Sequence, residues 1–218
     1  MANEIEQRLE AAGLIPVLRA KSTTEAHALV EAMMAGGVEV MEVTMTVPGA
    51  IDLLKDLRKT YGDRLLLGSG TVTTAAEAVA TIEAGAEFVI SPSLHLDVVE
   101  TTLRAGKVSI PGGLTPTEVV TAWRAGAAYV KVFPCSAVGG ASYLRALKAP
   151  LPEIRLIPTG GVTIATAADF LHAGASALGV GSDLVNPKAI AEGRAADITH
   201  IARQYREVIA RVRSGSQA

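Results

Sequence analysis

RAGAAYVKV, residues 124–132, is one copy of a phrase that returns along the chain. It reads MAGGVEV at 34–40, EAGAEFVI at 83–90, RAGKVSI at 104–110 and HAGASALGV at 172–180. Each copy joins an Ala-Gly pair to a short apolar run. Glycine is the usual residue just past a helix end, where the backbone often needs a positive φ. The run that follows is rich in Val and Ile, as a buried parallel strand requires. Each copy therefore reads as a helix stop that feeds a strand. The glycines at 36, 85, 106, 126 and 174 lie about 20 residues apart or about twice that, one or two strand–helix units.

Filling the doubled gaps predicts eight strands, near 15–19, 38–44, 65–70, 87–91, 108–111, 128–133, 154–158 and 176–180. Helices fall between them, among them 24–35, 74–83, 115–124 and 163–172. Thr115-Pro116 places a capping threonine and then Pro at the first helical position. Eight alternations point to an α/β chain folded as a (β/α)₈ TIM barrel, a single domain over 1–218. A doubly wound open sheet is the alternative.

Composition narrows the function. Of 218 residues, 49% are hydrophobic and 19% charged, with a net charge of −2. That balance gives no field to draw in nucleic acid or an anionic membrane. The single cysteine, Cys135, leaves no internal disulfide and no cysteine zinc site. Four scattered histidines show no metal-ligand spacing. Residues 1–10 are polar and helical in pattern, without the apolar core of a signal peptide, and no run is long enough to span a membrane. The reading is a cytoplasmic protein with no metal, whose last residues, from Arg213, form a short disordered tail.

A barrel carries its active site at the C-terminal ends of the strands. Three features there carry chemistry. Lys131 lies in Tyr129-Val-Lys-Val-Phe133, apolar on both sides. An ammonium in a low-dielectric interior gives up its proton more readily and becomes an amine nucleophile; a lysine that reaches out to solvent is the bland reading. Glu42, late in the second strand, can meet Lys131 across the barrel as an acid–base partner, or as a structural ion pair. Gly160-Gly161 and Gly181-Ser182 follow the seventh and eighth strands, where many barrels bind phosphate through backbone N–H groups. Trp123 and Phe170 read as packing residues. His95 has no partner in sequence, and Cys135 has no neighbouring histidine to activate it.

Assembled in order, these residues resemble the 2-keto-3-deoxy-6-phosphogluconate (KDPG) and 4-hydroxy-2-oxoglutarate (KHG) aldolase family. The motifs are Pro16-Val-Leu-Arg19, Glu42-Val-Thr-Met-Thr46, Gly68-Ser-Gly-Thr71, Ile90-Ser-Pro92, Ile110-Pro-Gly112, Lys131-Val-Phe-Pro134, Pro158-Thr-Gly-Gly161 and Gly179-Val-Gly-Ser182, and the likeness spans about Leu14 to Val212. The resemblance implies a class I aldolase, often a homotrimer, that needs no cofactor. It implies Lys131 as the Schiff-base lysine and Glu42 as the general acid/base. Thr71, Pro92 and Thr159 would line the pyruvate moiety, and Gly160, Gly161, Gly181 and Ser182 would hold the phosphate of a phosphorylated keto acid. Many members carry an arginine four residues after the glutamate to grip the substrate carboxylate. Here that residue is Thr46, and Arg19 looks like the replacement. The gluconate and galactonate epimers stay open as substrates. The competing readings are an isomerase or transferase on a phosphate-binding barrel, and a non-catalytic phosphosugar-binding protein.

Overall fold

The computed structural model describes residues 2–215. Helix α1 (Ala2–Ala12) precedes β1 (Leu14–Leu18). The units that follow are α2 (Thr23–Ala35), β2 (Val40–Thr44), α3 (Ala50–Tyr61), β3 (Leu66–Gly70), α4 (Ala75–Glu83) and β4 (Phe88–Ile90). Then come α5 (Leu96–Arg104), β5 (Val108–Ile110), α6 (Pro116–Arg124), β6 (Val130–Val132), α7 (Ala141–Lys148) and β7 (Leu156–Pro158). The chain closes with α8 (Ile164–His172), β8 (Leu178–Val180), the short α9 (Pro187–Ala191) and α10 (Ala195–Arg213). All eight expected strands are present, with ends within two residues of the expected ones.

The strands pair in parallel in the order β5-β4-β3-β2-β1-β8, with β6 and β7 as a second pair. Ala128 N–H donates to Ser109 O at 3.1 Å and Lys131 N–H to Pro111 O at 2.9 Å, joining β6 to β5. Ser176 N–H donates to Leu156 O at 2.9 Å, joining β8 to β7. The first strand thus pairs with the last, which an open doubly wound sheet does not do. The barrel is closed.

The repeated Ala-Gly phrase does what its composition implies. Gly85, Gly106, Gly126 and Gly174 all have positive φ, from 68° to 106°. In the first copy the positive φ falls one residue later, on Gly37, while Gly36 stays helical at −84°. Gly36 is glycine for space: a Cβ there would stand 2.5 Å from the Cβ of Ala202 in α10.

Strand alternation sorts the core into two layers. Val40 of β2 faces inward with Ile15, Leu66, Phe88, Tyr129 and Ile157, and Ile5 and Leu9 of α1 join that cluster. Helix α1 therefore plugs the N-terminal mouth, and the Tyr129 hydroxyl donates to Glu6 O at 3.1 Å. Met41 and Val43 face outward into the helix layer. The far end of the chain reaches the same floor. Arg213 donates to Ala11 O at 2.8 Å and to Glu10 O at 2.5 Å, so the last helix caps the first. The disordered tail expected from Arg213 is corrected at its start by these bonds; residues 216–218 lie outside the described ones. Among the described residues no helix is long and apolar enough to cross a membrane.

Candidate active site

The inward-facing positions change character toward the C-terminal mouth. Two residues beyond Val40 stands Glu42, and two residues beyond Tyr129 stands Lys131. Both are enclosed, at 1% and 6% exposure. Their charged ends are 3.9 Å apart, Lys131 Nζ to Glu42 Oε1. That is too long for a hydrogen bond, and Glu42 Oε1 is buried without any hydrogen-bond partner. A structural ion pair would satisfy that oxygen; an unsatisfied buried carboxylate oxygen beside an amine leaves a gap that a reacting group can fill. Burial pushes the Glu42 carboxyl above its ordinary range, with Lys131 and then Arg19 opposing the shift. The ring of Phe133, on the same face of the chain two residues on, lies 5.4 Å from Lys131 Nζ.

Gly70 makes room for Glu42. It sits on β3 beside β2, and a Cβ there would stand 1.6 Å from Glu42 Oε1. Any side chain at Gly70 would displace the carboxylate. The next residue, Thr71, has φ 60°, the one positive φ outside glycine among the described residues. A β-branched residue held there stores about 1–3 kcal/mol of strain, a cost found mostly where a site fixes the backbone. Thr71 follows β3 and Pro92 follows β4, both on the C-terminal rim.

Arg19 follows β1 directly and is exposed. Among the described residues it makes no ion pair or hydrogen bond, so Glu42 is not its structural partner. Thr46 is engaged otherwise: its hydroxyl lies 2.8 Å from that of Thr44, which donates to Leu18 O at 3.1 Å. These two hydroxyls tie the rim of β2 to the end of β1, next to Arg19.

A cavity of about 450 Å³ opens at the C-terminal mouth; Phe133, whose ring neighbours Lys131 Nζ, is in its lining, whereas Lys131 and Glu42 are not. Its lining includes Arg19, Phe133, Thr159, Gly160, Gly161, Gly181, Ser182 and Asp183. The structure thus gathers Arg19, Thr159 and all four residues of the two glycine loops around one space. Thr71 and Pro92 stand outside this lining, across the mouth. Of the lining residues, Phe133 stands in the sequence reading only as part of a strand and a motif, with no site role, and Asp183 does not stand in it at all. Alternation from Lys131 carried the signal for Phe133; Asp183 had only its place after Ser182.

The remaining polar residues keep modest roles. Burial pushes the Cys135 thiol up to about 11, which keeps it protonated and unreactive. His95 does have a partner: its Nε2 lies 2.9 Å from Ser93 Oγ at the head of α5. Phe170 is buried, and Trp123 packs against the core with the Arg155 guanidinium 5.9 Å from its ring.

Comparison with known proteins bears on the chain as a whole. A family model described as KDPG and KHG aldolase matches residues 5–201. A 2-dehydro-3-deoxy-6-phosphogalactonate aldolase of Escherichia coli (strain K12) is 34% identical over 197 residues, covering 90% of this chain and 96% of its own. A 2-dehydro-3-deoxy-phosphogluconate aldolase of Treponema pallidum (strain Nichols) is 34% identical over 206 residues, covering 94% and 97%. Among solved structures, a KDPG aldolase from Legionella pneumophila, with pyruvate captured as a covalent carbinolamine, superposes with a TM-score of 0.85 at 32% identity. That match covers 91% of this chain and 96% of the other.

Proposed function

The chain belongs to the KDPG and KHG aldolase family, and from that premise we propose that it is a class I aldolase that cleaves KDPG to pyruvate and glyceraldehyde 3-phosphate. The observation that carries the reading is the enclosed amine and carboxylate, 3.9 Å apart, joined through Phe133 to a cavity lined by glycine loops. The Nζ of Lys131 attacks the C2 ketone and forms a C–N bond. Glu42 supplies a proton as the carbinolamine loses water, leaving a protonated imine. That imine draws electrons from the C3–C4 bond as Glu42 takes the proton from the C4 hydroxyl. Glyceraldehyde 3-phosphate leaves, and the enamine is protonated at C3. Water then releases pyruvate and the free amine. Covalent attachment divides one hard step into easier ones.

In this reading Arg19 binds the substrate carboxylate, and Thr71, Pro92 and Thr159 line the pyruvate portion. The N–H groups of Gly160, Gly161 and Gly181, with the Ser182 hydroxyl, hold the phosphate. The reading extends to a cytoplasmic homotrimer, on the support of family membership. KHG remains a second substrate to assay, and the galactonate epimer a rival one, because one of the similar enzymes acts on it. Borohydride with pyruvate should add one stable adduct, on the peptide that contains Lys131, and Lys131→Ala should take no adduct and show no turnover. A coupled assay for pyruvate with the two C4 epimers should favour the gluconate. An adduct on another lysine sinks the mechanism, and faster release from the galactonate reverses the substrate.

A further inference from the structure

The two loops of the cavity belong to different strand–helix units, and their separation is fixed from outside the barrel. Asp183, the residue after Ser182, makes the link. Its Oδ2 accepts from the N–H of Ile164 at 3.1 Å and from the hydroxyl of Tyr205 at 2.5 Å. Ile164 opens α8, the helix that follows Gly160-Gly161. Tyr205 belongs to α10 and is fully buried. Each neighbouring turn is pinned in its own right. Thr166 Oγ1 accepts from Thr163 N–H at 3.0 Å and meets Gly161 O at 3.3 Å, so the Gly160-Gly161 loop rides on the first turn of α8. Gly181 O accepts from Leu184 N–H at 3.1 Å and from Val185 N–H at 2.8 Å, which folds the second loop back under Asp183. The Asp183 carboxylate is therefore the side-chain bridge between one loop, the helix that carries the other, and the outer helix α10.

A carboxylate beside a phosphate site is otherwise a liability. Arg19 is the one cation in the lining, and Asp183 would repel a dianion. Its charge is instead spent on the N-terminus of α8, where an anion is favoured, and on a phenol that burial and Asp183 itself hold in the protonated, donating form. We propose that Asp183 and Tyr205 are positioning residues for the phosphate end of the substrate. They set the distance between Gly160-Gly161 and Gly181-Ser182 without touching the ligand. The proposal rests on the reading of those loops as the phosphate-holding ones.

Three variants test it: Asp183→Ala, Asp183→Asn and Tyr205→Phe. Two quantities are compared, the KM for KDPG and the pyruvate concentration that half-saturates borohydride trapping, because pyruvate carries no phosphate. Asp183→Ala should raise the first relative to the second about tenfold, the scale of hydrogen bonds to a charged group. Tyr205→Phe, which keeps the ring in its place, should raise it about threefold through loss of one donor. Asp183→Asn keeps an oxygen that can accept from both donors and should fall close to the native ratio. The effect should sit in KM, with kcat much less altered. If Asp183→Ala does not fold, the other two variants carry the test. Equal changes in KM and in pyruvate half-saturation would mean general loosening and overturn the proposal. So would an unchanged ratio in Tyr205→Phe, or an Asp183→Asn ratio displaced as far as that of Asp183→Ala. A native protein that traps no pyruvate would instead sink the aldolase reading beneath it.

Discussion

Glu42 ties protonation to both stability and catalysis. Burial holds its carboxyl above the ordinary value of 4.5, so the folded protein keeps this proton to higher pH than the unfolded chain does. The stabilising contribution is complete below about 4.5 and is lost as pH rises through the raised folded value. Glu42→Gln has no proton to lose. The unfolding free energy of this variant, minus that of the native protein, should grow from about pH 4.5 upward and level off once native Glu42 has ionised. Urea unfolding at a series of pH values measures it, and a flat difference would show that the carboxyl titrates normally. Arg19 makes a second prediction at this scale. Arg19→Leu should cost about 1.5–3 kcal/mol in pyruvate binding, the range for a hydrogen bond to a charged group. Unchanged half-saturation of imine trapping would place the carboxylate on other donors. Lys131 and Glu42 were legible in sequence because a charged residue inside an apolar strand has few places to go. Asp183 was not, since its partners lie 19 and 22 residues away, on helices whose packing no local pattern encodes.

Helix starts show how much an element owes to its own few residues. In α6, Thr115 Oγ1 accepts from Glu118 N–H at 3.3 Å, while Glu118 Oε2 accepts from Thr115 N–H at 2.7 Å. In α4, Thr74 and Glu77 make the same reciprocal pair at 3.2 Å each way. These boxes satisfy N–H groups that the helix leaves open. Thr115→Ala should therefore lower stability by about 1 kcal/mol in urea unfolding. A loss near zero would mean that Glu118, bonded also to Leu114 N–H at 3.0 Å, caps the helix alone. Capped starts and glycine stops are short-range features, which is why the helices between strands could be placed from sequence. The work of α1 could not. Its polar residues announce a helix, but only the packed barrel shows that Ile5 and Leu9 close its floor.

Closure is a property of the whole molecule that no single repeat contains. The recurring Ala-Gly phrase implies eight strands and their direction, yet a barrel also needs β1 to find β8, pairing Leu14 with Leu178 and Pro16 with Val180. Eight βα units made that outcome readable as a count; the register came only with the structure. The floor and the mouth are separate by the same architecture. Leu9→Ala should cost about 2–5 kcal/mol of stability, as for other buried leucines, while the KM for KDPG stays at its native value because Leu9 lies at the opposite end from Lys131. A matching rise in KM would show that the floor and the site are mechanically coupled. The clasp of Arg213 on Glu10 and Ala11 sets how the molecule comes apart. Seen as a thread, the polypeptide is a loop closed twice without a covalent bond, by this clasp and by the β1–β8 seam. An unfolding machine that seizes the final helix must first pull the guanidinium from the end of α1, and that same tug loosens the stopper in the barrel floor. Pulling the first helix instead breaks the same link from the other side.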